Sequence, residues 1–157
     1  MKTPNRTTRI LRSSPRNGTA AVECAIMAPL LTLLVLGAID VGQFANVHQK
    51  VSDASREGAR MAARNTTQTS SDVQAVVMDY LEKVSRGVPP ATLASATTVT
   101  VTDSAGNSIA GTALGGVPSG SEIRVQVTLQ FDPIRWISGV STLDGQQITS
   151  TTIMRRQ

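Results

Sequence analysis

Residues 18–39 read GTAAVECAIMAPLLTLLVLGAI, and the fold of the chain turns on how this run is taken. From Thr19 to Ile39 there are 21 residues whose only charge is Glu23. As a helix that length covers about 30 Å, one hydrocarbon core, so a single transmembrane helix is expected. A carboxylate inside such a helix costs about 2.5–3.5 kcal/mol even on lenient insertion scales, and charges of this kind usually have a partner and a task. From position alone two readings of Glu23 stand side by side. It is a docking group that pairs with a cation, or an edge charge that snorkels to the interface beside Arg16.

The flanks orient the run. Lys2, Arg6, Arg9, Arg12 and Arg16 are five of the 15 basic residues and have no acid among them, which leaves ten to face the 11 acidic residues elsewhere. The isoelectric point near 10.0 therefore belongs to residues 1–18, a basic leader that Pro15, Asn17 and Gly18 are expected to keep disordered, and not to the folded part. Aromatic residues make up 3% of the chain, too few to stack nucleic-acid bases, so no nucleic-acid partner is expected. Basic residues before the run and Asp40 after it place the N-terminus in the cytoplasm and the C-terminal domain outside. A secretory signal peptide shares this layout, but its apolar core spans only about 7–15 residues, and no clean pair of small residues two apart for cleavage lies between Leu36 and Val47. Cys24, the one cysteine, forms no internal disulfide and reads as a small inert hydrophobe.

Beyond the membrane, Val41, Phe44, Val47, Val51, Ala54, Gly58 and Met61 recur at spacings of three and four, one apolar stripe on a continuing helix. Residues 40–64 are thus expected to extend the helix, with Pro29 bending it inside the membrane. Gly58 is either a point of close packing or a tolerated glycine near a helix end, and the sequence leaves both open. Residues 65–157 are expected to form an extracytoplasmic head. NTTQTSS (65–71) reads as a linker. A second helix follows with Val73, Val76, Val77, Tyr80, Leu81 and Val84 on one face, a capping box of Ser71 and Gln74 at its start, and Gly87, Pro89 and Pro90 at its end. The period then changes to two: TTVTVTD (97–103), EIRVQVTLQF (122–131) and QQITSTTIM (146–154) read as strands, separated by a Gly-rich loop (110–120) and an Asp144-Gly145 turn. The fold class expected is α+β: a long N-terminal transmembrane and amphipathic helix, a short second helix, and a small antiparallel β-sheet head.

Enzymatic chemistry is not expected. His48 is the only histidine and lies on the helix extension, which leaves no catalytic triad and no histidine-rich metal site. No phosphate-binding glycine loop occurs. DSAGN (103–107) resembles a fragment of a calcium loop but lacks the distal glutamate and reads as a turn. Catalytic residues, metal and cofactor are all expected to be absent.

A basic leader, a glycine, and a hydrophobic helix with glutamate five positions later resembles the class III signal of type IV pilins and pseudopilins. Within that group, GTAAVECAIMAPLLTLLVLGAIDVGQF followed by SDASREGARMAARN is similar to the TadE-like proteins of the tight-adherence (Tad/Flp) pilus system. The resemblance extends to the C-terminal FDPI and ITSTTIMRR and is strongest over 16–64. It implies a pilin-like fold and cleavage after Gly18 by a prepilin peptidase, with Thr19 as the new N-terminus. A residue without a side chain suits close approach to protease backbone. It further implies that Glu23 docks on the Thr19 ammonium of a neighbouring subunit; Pro29 and Gly58 are helix-packing candidates from their residue types alone. The implied partners are that peptidase, other Tad pilins or pseudopilins and the pilus assembly platform. The implied location is the cell membrane, single-pass, and an extracellular pilus after processing. Cys24 stands where the family commonly carries an aromatic residue, and Thr19 where many type IV pilins have phenylalanine. The chain is longer than the short major Flp pilins, which favours a pseudopilin or minor pilin. The alternative is an uncleaved signal-anchored envelope protein whose external β domain is a binding module.

Overall fold

The computed structural model describes residues 16–136 and 143–157; leader residues 1–15 lie outside them. Helix α1 runs Arg16–Ala62 as one element, ending two residues before the expected limit. Asn17 and Gly18 do not break it, because one glycine costs only about 1 kcal/mol in a helix whose propagation is cooperative. The chain divides into two units, Met1–Gly37 and Ala38–Gln157. The described part of the first is helix throughout.

In the second unit α1 is followed by α2 (Ser70–Val84) and α3 (Pro90–Ala96). Strands β1 (Thr97–Asp103), β2 (Glu122–Gln130) and β3 (Gln147–Arg155) form one antiparallel sheet in the order β1-β2-β3. The α+β expectation is therefore met, with one helix more than expected. Pro89 and Pro90, read as stop signals, open α3: Pro90 stands in its first turn, where the missing N–H loses nothing. The capping box also sits earlier than expected. The Thr69 hydroxyl accepts from the Asp72 N–H at 3.2 Å and the Asp72 carboxylate accepts from the Thr69 N–H at 3.3 Å. Aspartate does the work expected of glutamine, while Gln74 donates to the Val99 carbonyl on β1. The Gly-rich loop contains a 3-10 helix, Gly111–Gly116, whose Leu114 is buried.

Register follows from the alternation of side chains along strands. Val99 and Val101 pair with Val127 and Val125, and Val125 and Leu129 pair with Thr152 and Ile148. One face of β2, from Ile123 to Leu129, is buried with Val51, Ala54, Val73, Val77 and Leu81 from α1 and α2. Ser55 of α1 is also fully buried, and its hydroxyl meets those of Ser150 (3.1 Å) and Thr152 (2.8 Å) on β3. The C-terminus closes over the end of α1: the Gln157 N–H donates to the Ala63 carbonyl, and buried Arg156 donates to the Thr67 carbonyl.

Candidate functional site

One place on the first unit and one on the second carry features singled out in the sequence, and a further place on the second unit does not. In the first unit, the window of mean hydropathy 2.2 is wholly unburied. Val22, Ile26, Leu30, Leu34 and Val35 are all at least half exposed. Successive helical positions turn by about 100°, so Val22, Leu30, Met27, Leu31 and Val35, with the exposed alanines Ala21 and Ala25, cover the helix on all sides. Apolar surface around a full circumference finds its burial in lipid or in other helices. Glu23 lies exposed on this surface and no described side chain pairs with it. Gly18 and Thr19 are exposed as well, and a Cβ built on Gly18 would meet nothing within 4 Å. Glycine there has no packing cause. Pro29 lies within α1, and three residues on, the Thr32 hydroxyl donates to the Ala28 carbonyl at 2.8 Å. Cys24 is a free, exposed thiol.

Gly58 has a different setting. A Cβ there would lie 2.6 Å from Val77 Cγ2 and 3.3 Å from Val125 Cγ1. The missing side chain is the space in which α2 and β2 approach α1.

The third place was not legible in the sequence. Asp40, read as a solvent-side flanking charge, is buried. Its carboxylate accepts from Arg135 Nη2 at 3.2 Å, and the Arg135 side chain is only 1% exposed. Arg135 Nη1 turns to Asp144 and, at 3.6 Å, to Asp132. One turn along α1, Gln43 donates to the Ile134 carbonyl (3.1 Å) and accepts from the Trp136 N–H (3.2 Å). Phe44 meets Phe131 edge to face, with centroids 5.2 Å apart at 86°, and the Arg135 guanidinium lies 5.8 Å from the Phe131 ring centre. Asp40, Gln43 and Phe44 thus use the i, i+3, i+4 spacing of one helical face to hold Phe131–Trp136. Burial acts most strongly on Arg135 and would lower its pKa, but the Asp144 hydrogen bond and the charges of Asp40, Asp144 and Asp132 together raise it above the ordinary value. The guanidinium is a permanent charge. Gly145, at φ +72°, closes the return turn and donates to Asp132 at 2.8 Å.

The DSAGN segment is a turn: the Asp103 carboxylate accepts from Asn107 and from the Ala105 and Asn107 N–H groups. These bonds, the Asn107 side chain first, hold the Asp103 pKa below its usual value. Among the described residues no group of His, Cys, Asp and Glu is placed to hold a metal.

The long apolar N-terminal helix is consistent with a membrane anchor. The family model described as TadE-like protein matches residues 18–60, and over that segment the chain is similar to the TadE-like proteins. A TadE-like segment points to a Tad pilus-associated protein. No curated protein and no solved structure is matched.

Proposed function

We propose that the protein is a pseudopilin or minor pilin of a Tad-type pilus or a related secretion machine. It is held in the membrane by residues 19–39, with the N-terminus cytoplasmic, and cleaved after Gly18 by a prepilin peptidase. It is a structural subunit and not an enzyme. The observation that carries the reading is Glu23, five positions after a glycine with no packing cause, on a helix apolar around its whole circumference. Cleavage would leave the Thr19 ammonium at the start of the helix. On a neighbouring subunit that ammonium is a partner for Glu23, and an ion pair in a low-dielectric bundle fixes the stagger of the helices by its distance dependence.

The test is Glu23→Ala and Glu23→Gln in the native cell, following both chain length and recovery in the sheared pilus fraction. The expected result is processing without incorporation. Incorporation of Glu23→Ala at the wild-type level overturns the docking role.

A further inference from the structure

At the foot of the second unit an open groove of about 350 Å³ is lined by Ile39, Gly42, Asn46, Lys50, Arg86 and Trp136, among others. Its composition is unusual in three respects. Lys50 and Arg86 have no ion-pair partner among the described residues, and no carboxylate lines the groove. Trp136, the one tryptophan of the chain, is 79% exposed although the residue before it is fixed by the Asp40–Arg135 pair. And Ile39, itself exposed, is the last residue of the apolar run.

We propose that this groove takes the headgroup of an anionic phospholipid from the bilayer that holds α1. The inference rests on the reading that residues 19–39 lie in that bilayer. Headgroups occupy about 5–7 Å on each side of the hydrocarbon. Gly42 and Asn46 follow Ile39 by about 4.5 and 10 Å along a helix axis, so the groove begins in that layer. The Lys50 backbone stands about 16 Å beyond Ile39 along the axis, and helical side chains lean toward the N-terminus, so its ammonium reaches back toward that layer. Two cations without a counter-charge suit a phosphodiester. Tryptophan, like tyrosine, is enriched at this depth, since its ring is apolar and its N–H seeks a partner. A soluble phosphate would satisfy the cations alone and leave the exposed indole and Ile39 without a role, so a lipid is the occupant the groove fits.

The full chain in phosphatidylcholine nanodiscs tests this, because the emission of a single tryptophan reports on one place. Brominated-chain phosphatidylglycerol is compared as a quencher with brominated-chain phosphatidylcholine at equal mole fraction. Each cation near an anionic surface favours binding about fivefold. Half-maximal quenching is therefore expected at a lower fraction of phosphatidylglycerol than of phosphatidylcholine. Lys50→Gln and Arg86→Gln should each raise that fraction about fivefold. Equal quenching by both lipids, or variants that behave as wild type, overturns the proposal. So does a shift of Trp136 emission by inorganic phosphate in discs of phosphatidylcholine alone, which would make the site one for a free anion. A chain that fails to co-elute with the discs refutes the membrane reading itself. A chain that stays in the discs with its tryptophan unquenched refutes only the groove.

Discussion

Gly58→Ala separates packing from propensity. At an open helical position alanine stabilises by about 1 kcal/mol relative to glycine. At Gly58 the new Cβ would stand 2.6 Å from Val77 Cγ2, 3.3 Å from Val125 Cγ1 and 3.6 Å from Val73 Cγ1. Val77 cannot swing aside: it is fully buried, and a β-branched side chain in a helix has essentially one χ1 rotamer. The strain must go into a separation of α1 from α2, which overpacking data place at about 1–3 kcal/mol. With a close contact to a stiff neighbour the upper part of that range applies. The net expectation is a loss of about 1–2 kcal/mol, or roughly 3–10 °C in the melting temperature of a domain this size. Thermal unfolding of the full chain in detergent, followed by circular dichroism, measures it. Val77→Ala makes room for the new methyl, so the double variant should lose less than the two single losses added together. A Gly58→Ala protein that melts higher than wild type would refute the reasoning and make Gly58 a tolerated glycine near a helix end.

Three further expectations concern the second unit. Arg135→Gln should lower the melting temperature more than Asp40→Asn, because it strands a buried carboxylate whereas Arg135 without Asp40 keeps Asp132 and Asp144; the reverse order would show that Arg135 does not hold the segment through Asp40. Ser55→Ala should cost about 1–2 kcal/mol in denaturant unfolding, since it removes a buried hydroxyl shared by two β3 side chains; no change would mean that Ser150 and Thr152 satisfy each other or water. The Asp103 carboxyl has a folded pKa below its unfolded one, so its stabilisation is complete above the unfolded value and is lost as pH falls through the folded value. Asp103→Asn should accordingly be less stable than wild type near neutrality, and the gap between their unfolding curves should close in acid.

What the sequence discloses depends on how far apart the interacting residues lie. The apolar run, the helical stripe from Val41 onward and the alternation in β1, β2 and β3 are local periodicities, and each gave the element it predicted to within three residues, the largest difference being the start of α1 at Arg16 where Thr19 was expected. Helix α3 is short, and the same two prolines serve to stop one helix and start another. The capping box was displaced because Thr69, Ser70 and Ser71 are all competent caps by residue type, and Thr69 has Asp72 three residues on to complete the box. The Asp40–Arg135 pair joins residues 95 apart in the chain, and a single sequence holds no record of that distance. Its one visible trace was the placing of Asp40, Gln43 and Phe44 on one face, where Asp40 had the simpler reading of a membrane-edge charge. The contact of Ser55 with β3 was hidden for the same reason, since a serine within a charged helical stretch reads as solvent-facing. Around Glu23 the position was legible throughout, and under the proposed function its partner lies on another molecule.

Processing after Gly18 is the most direct test of the account. The intact mass of the membrane-associated protein from its native cell, with and without the prepilin peptidase, decides it. The account predicts a chain beginning at Thr19 when the peptidase is present and at Met1 when it is absent. A chain that begins at Met1 in both would contradict it, and would leave a signal-anchored protein in which Glu23 has no ammonium to meet.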